Sequence, residues 1–186
     1  MAVLTGVEGG EGVSFLSLML ALSLGSSPHH KVALLDGNFN PERFRTLSSL
    51  LNLSEDSVTI EKGTYKVDGY VNDLHPNVHV LNHSGVRPDS TFFSDRQLGG
   101  FLEHLRQHYA FTIVDMPPLL KGTSSLYLAP SADQLYVIAS AGKTSVADLE
   151  QSKSVAAAAG ARISGVVLNR QQTPLWSKLF WRKFFL

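Results

Sequence analysis

Three stretches of the chain carry residue types that could handle a phosphate and a divalent cation. The first is Thr5-Gly6-Val7-Glu8-Gly9-Gly10-Glu11-Gly12-Val13-Ser14, a glycine-rich turn between an apolar run and a helical segment. Glycines let backbone N–H groups close around an anion, and a helix N-terminus directly behind them adds a favourable dipole. A working phosphate-binding loop places lysine immediately before its Ser or Thr. Here that position is Val13, while Ser14 stands where a magnesium-binding hydroxyl would be. The second stretch, Val32–Pro41, ends its apolar run in Asp36, and the third, Thr112–Pro118, ends its own in Asp115. A carboxylate at a strand tip can hold magnesium or orient a water. It can equally be a cap for the next helix, and both readings stay open for each Asp. The order of the three stretches along the chain is more informative than any one of them.

The elements that would position these residues follow from periodicity. Short β-branched or continuously apolar runs predict strands at Ala2–Thr5, Val32–Asp36, Val78–Asn82, Phe111–Asp115, Gln134–Ala139 and Ile163–Leu168. Between them, helices are expected at Ser14–Leu24, Pro41–Leu51, Asp95–Tyr109 and Ser145–Ala159, with Pro41 suited to a first turn and Gly160 to a terminator. This alternation predicts an α/β fold: a doubly wound, mostly parallel sheet with helices on both faces. In such a sheet, ligands sit at the carboxyl ends of the strands, where all three stretches lie. The polar span Ser54–Pro76 is long for a connection and is expected to hold a short helix or an edge excursion. The domain is expected to occupy residues 1–174, followed by an aromatic and basic tail, 175–186.

Composition sets the outer bounds. The 186 residues suit one domain, and 44% hydrophobic with 17% charged residues reads as globular. A net charge of +0 provides no global field toward nucleic acid, so no nucleic-acid partner is expected. With 0 cysteines, thiolate catalysis, disulfides and zinc–thiolate sites are excluded. The apolar stretch Phe15–Leu24 is too short to span a bilayer and lacks signal-peptide flanks, so the default expectation is a cytoplasmic protein, peripheral at the inner membrane if it touches one.

The motifs, in this order, resemble the cytoplasmic domain of bacterial tyrosine kinases (BY-kinases), relatives of the MinD/ParA P-loop ATPases that work in exopolysaccharide synthesis and export. The likeness runs from the first strand to Asn169. Gly10-Glu11-Gly12-Val13-Ser14 is similar to that family's Gly-Glu-Gly-Lys-Ser loop except at the lysine. Val32–Pro41 resembles its second motif, with Asn38 in place of the second Asp and Asn40 near the arginine. Ile113–Pro118 resembles its Walker B run, with Met116 in place of Thr. Ala132-Asp133, Ala141–Ser145 and Gly165–Asn169 also look like the family. The resemblance implies a nucleotide site at Gly10, Glu11, Gly12, Val13, Ser14, Asp36, Asp115 and Asn169, with Asn169 reading an adenine edge and Ser14, Asp36 and Asp115 as the ligands of any magnesium.

The departures turn that expectation around. Such kinases phosphorylate a tyrosine-rich tail of their own, whereas Tyr65, Tyr70, Tyr109, Tyr127 and Tyr136 all lie upstream of this chain's tail. An ammonium that neutralises phosphate charge is central to phosphoryl transfer, and valine cannot supply it. The expectation is therefore a vestigial site with no catalytic residue and no required cofactor, ATP, ADP or magnesium binding weakly if at all. The protein is expected to be an inactive, pseudokinase-like accessory of exopolysaccharide production. Its expected partners are a membrane co-polymerase, a glycosyltransferase or an active BY-kinase, or a second copy in a homodimer. Two alternatives stand beside this reading. One is an active ATPase or kinase that recruits a cation from elsewhere, such as Lys143. The other is a MinD/ParA-like positioning factor whose tail meets a membrane.

Other candidates are weaker. His104 and His108, spaced i, i+4, could present two imidazoles to a metal, but no third ligand is evident and a solvated helix face is the plainer reading. The same holds for His75, His79 and His83. The tail Leu175–Leu186 joins Trp176, Phe180, Trp181, Phe184 and Phe185 to Lys178, Arg182 and Lys183. That composition suits an interfacial anchor, or a segment packed on its own domain or on a sister subunit.

Overall fold

The computed structural model describes residues 1–38, 57–62, 65–72, 75–83 and 95–172. The expected helix Pro41–Leu51, Asn40 and the tail lie outside these residues. The chain order is β1 (Ala2–Gly6), α1 (Val13–Gly25), β2 (Val32–Asp36), β3 (Ser57–Lys62), β4 (Tyr65–Asn72), β5 (His75–His83), α2 (Asp95–His108), β6 (Phe111–Asp115), α3 (Ser124–Leu128), β7 (Gln134–Ser140), α4 (Val146–Ala158) and β8 (Ile163–Asn169). A 3-10 turn, Ala129–Ser131, continues from α3.

The eight strands form one sheet in the order β3-β4-β5-β2-β6-β1-β7-β8. From β5 to β8 every neighbouring pair is parallel, making a six-stranded parallel body, while β3 and β4 pair antiparallel at its edge. All six expected strands are present, β2 and β6 with the expected bounds and the other four longer by one to four residues. In the polar span Ser54–Pro76 the described residues form an edge excursion, β3 and β4.

Burial explains why these runs are strands. Val32, Ala33, Leu34 and Leu35 are all buried, as required of a strand covered on both faces. Two apolar layers flank the sheet. On one face, α2 contributes Leu98, Phe101, Leu102 and Leu105, a stripe at i, i+3, i+4, i+7 packed with Val3, Val114 and Val137. On the other, Leu18 and Ala21 of α1 pack with Leu4, Leu34, Val80 and Ile138. Gly25 lets α1 close on the sheet, because a Cβ there would run into Val78. The outward face of α1 leaves Phe15, Met19 and Leu20 exposed. Among the described residues, no helix is long and apolar enough to cross a membrane.

α4 starts on a reciprocal capping box: Asp148 N–H donates to Ser145 Oγ at 3.1 Å, and Ser145 N–H donates to the Asp148 carboxylate at 3.3 Å. This cap fixes where the chain leaves β7 and so sets the path of the loop Ala141–Thr144 beside the glycine-rich turn.

Candidate functional site

The carboxyl ends of β1, β2, β6, β7 and β8 converge on the turn Val7–Gly12. Gly9, Gly10 and Gly12 have φ of 113°, 84° and 90°, in the left-handed region where a side chain is strained. At Gly12 the restriction is doubled, since a Cβ would also sit 2.7 Å from the Asn169 amide nitrogen. Only this backbone path lets the turn fold back over β1 and feed directly into α1.

Glu11 braces the turn from beneath. Its carboxylate is buried and accepts from the N–H of Glu8 at 3.0 Å and of Gly9 at 2.9 and 3.0 Å. Its backbone carbonyl accepts from Asn169 Nδ2 at 2.7 Å. Two more ties bind the turn to the segment after β6: Leu119 N–H donates to Gly6 O at 3.0 Å, and Leu120 N–H donates to Val7 O at 3.2 Å. Thr5 Oγ1 donates to Pro117 O at 2.7 Å. The turn is thus held rigidly before any ligand arrives.

Above it lies a cavity of about 160 Å³ lined by Gly9, Gly10, Glu11, Gly12, Val13, Ser14, Phe15, Asp115, Met116, Pro118 and Arg170. No side chain caps the N-terminus of α1, whose Ncap is Gly12. The first-turn N–H groups therefore keep their capacity for an anion. Val13 lines this cavity and packs its methyls toward the α1 side of the core. Val13 itself brings no charge to this N-terminus.

The two strand-tip carboxylates stand side by side. Asp36 and Asp115 are register partners on β2 and β6, and both are buried. Asp36 Oδ1 accepts from Asn38 N–H at 3.0 Å, and Asn38 Nδ2 donates to Asp115 O at 3.4 Å. A second aspartate at position 38 could not make that last bond, because an ionised carboxylate has no donor. Asn38 therefore acts as a clamp between the two strand ends. Ser14 and Asp115 share the cavity, so they and Asp36 are the residues that could hold a magnesium ion.

Two cations that the motif reading did not place at the turn come from distant loops. Lys143, which follows β7, brings its Nζ within 3.7 Å of where a Cβ on Gly10 would be. Arg170, directly after β8, lines the cavity and adopts a left-handed φ of 59°, a conformation that side-chain-bearing residues seldom hold without support. Lys143 was legible only as a candidate for a displaced charge, and Arg170 carried no local signal at all.

The histidines stand apart from this site. His104 and His108 stack on each other with ring centroids 4.0 Å apart, and His108 Nδ1 lies 2.9 Å from the His104 carbonyl. His79 Nδ1 lies 3.0 Å from the Tyr109 hydroxyl. Burial, reinforced by Lys31, lowers the His79 pKa, and burial pushes Tyr109 up to about 12. Among the described residues, no group of three or more His, Asp or Glu is arranged to hold a metal.

Comparison with known proteins agrees with the motif order. No family model matches the chain. CapB of Staphylococcus aureus, which bears the name of a tyrosine-protein kinase, is 24% identical over 170 residues, covering 90% of this chain and 74% of CapB. The tyrosine-protein kinase ptk of Acinetobacter johnsonii is 27% identical over 169 residues, covering 85% of this chain but only 22% of ptk. Among solved structures, the kinase domain of the Escherichia coli tyrosine kinase ETK superposes with a TM-score of 0.73 at 22% identity, covering 93% of this chain and 69% of that one. MinD of Aquifex aeolicus superposes at 0.66 and 16% identity, covering 97% of this chain and 72% of that one. The homologues of this chain are bacterial tyrosine kinases, and its fold is that of the MinD/ParA P-loop ATPases.

Proposed function

We propose that this chain is a catalytically silent relative of the bacterial tyrosine kinases that serves exopolysaccharide synthesis or export by binding another protein. The observation that carries this reading is Val13: a half-buried aliphatic side chain at the mouth of a rigid anion cradle, in the position of the phosphate-neutralising lysine. Stabilisation of phosphoryl charge is the main contribution a protein makes to this chemistry, so the substitution removes more rate than affinity. Asn38 supports the same reading, because it exchanges a potential metal-binding charge for a structural clamp. The exposed strip Phe15, Met19 and Leu20 on α1 supplies apolar surface of the kind a binding role uses. The partner classes that fit are a membrane co-polymerase, a glycosyltransferase and an active kinase of the same system.

A second reading has its own observation. Lys143 Nζ lies over Gly10, and Arg170 flanks the same cavity, so a cation could reach a bound phosphate from outside the loop. On that reading the protein is an ATPase or kinase with a displaced lysine. Phosphate release from magnesium-ATP separates the two. The first reading expects background in the native protein, and the second expects turnover that Lys143→Ala abolishes.

A further inference from the structure

The parallel sheet is finished on every strand but the last. Among the described residues β8 pairs only with β7, and its Val166 and Leu168 are 54% and 58% exposed, in a sheet whose inner strands are close to fully buried. Val166 pairs with Val137 and Leu168 with Ala139, so both lie on the α4 face, where an apolar groove of about 570 Å³ opens between α4 and β8. Val146, Leu149, Ala157, Ala161, Ile163 and Val166 supply its apolar lining. Val146, at the start of α4, is 77% exposed. A parallel strand needs cover on both faces, and an uncovered edge invites unwanted pairing.

We propose that residues 173–186 of this same chain dock in the groove between α4 and β8. The segment begins four residues beyond the end of β8 in sequence, a distance short enough for it to reach the groove. Its 14 residues span about 21 Å as a helix, which matches the roughly 23 Å length of a seven-residue strand. It carries Leu175, Trp176, Leu179, Phe180, Trp181, Phe184, Phe185 and Leu186, side chains whose removal from water is favourable in proportion to the apolar area buried. The described residues leave the groove without apolar cover, and covalent continuity gives the groove and the segment a high effective concentration. Docking would finish the sheet edge and remove the exposed aliphatic row. It does not depend on whether the phosphate-binding turn is active.

Both tryptophans of the chain, Trp176 and Trp181, lie in the segment, so intrinsic tryptophan emission reports on it alone. In dilute, lipid-free protein the emission should be blue-shifted and shielded from acrylamide, independent of protein concentration. Val146→Asp places a charge at the groove without touching the core, and an acid in the first turn of a helix is favourable. That variant should keep its circular dichroism while the emission shifts red and quenching rises severalfold. Val166→Asp with Leu168→Asp should do the same from the opposite wall. Solvent-like emission in the native protein, unmoved by Val146→Asp, would overturn the proposal. Shielding that needs anionic phospholipid vesicles would assign the segment to a membrane, and shielding that grows with concentration would assign it to a second copy. Either result also overturns it.

Discussion

Asn169, the last residue of β8, donates its side-chain amide to the backbone carbonyl of Glu11, 2.7 Å away in space and 158 positions away in sequence. This bond fastens the glycine-rich turn to the far side of the sheet. It gives Asn169 a structural duty at the position where the kinase resemblance implied contact with a base. Replacing Asn169 with Ala removes one hydrogen bond and leaves a carbonyl without its donor, a loss of about 1 kcal/mol. Hydrogen exchange at the amides of Gly9 to Gly12 should accelerate while the core strands stay protected. Unchanged exchange in the turn would show that the bond does not hold it.

Glu11 is the stronger brace. Glu11→Ala leaves the N–H groups of Glu8 and Gly9 without an acceptor and opens a void under the turn, so a destabilisation of about 2–3 kcal/mol is expected in urea unfolding. Glu11→Gln keeps one acceptor oxygen and should lose about half as much. Equal stability of all three proteins would contradict the assignment of Glu11 as a structural group.

How far the sequence led is best seen in particular elements. β2 and β6 were readable to the residue because each is a short run of apolar or β-branched residues that stops at an Asp. β3 and β4 were not, because an edge hairpin of mixed polarity has no period that separates it from a loop. The five residues of α3 are too few to establish helical periodicity. At the site, the turn and both aspartates were visible as local motifs. Lys143 at Gly10, Arg170 in the cavity and the Asn169–Glu11 bond depend on chain crossings that only the assembled sheet defines.

Val13→Lys should raise affinity for ATP. The turn is already braced and Ser14 is in place, so the added ammonium would gain a charge-assisted bond worth about 1.5–3 kcal/mol, roughly tenfold or more in Kd. Calorimetry on the two proteins checks this. Equal and tight binding in both would mean that another cation, with Lys143 the first to replace, already neutralises the phosphates.

Acid should weaken the fold through His79. Its pKa in the folded state lies below the ordinary 6.5, first from burial and then from Lys31. The unfolded chain therefore binds the extra proton first, and stability falls as pH drops below about 6.5, levelling off below the folded pKa. Asp133 does not confuse this window. Its pKa is lowered from 3.8 mainly by the N-terminal ammonium, with a smaller contribution from Arg106. Urea midpoints measured from about pH 7.5 to about pH 5.5 should decline in the native protein and flatten in His79→Gln. An equal decline in both would assign the effect to another group.

The central claim, that the chain does not catalyse phosphoryl transfer, meets its most direct test in phosphate release and autophosphorylation measured with saturating magnesium-ATP. Native protein, Asp115→Asn and Lys143→Ala are run side by side. The account predicts that all three remain at the background of a protein-free control, because Val13 cannot neutralise the transferred phosphoryl group. Turnover in the native protein that disappears in Asp115→Asn would contradict it, and loss in Lys143→Ala as well would identify the lysine that replaced the missing one.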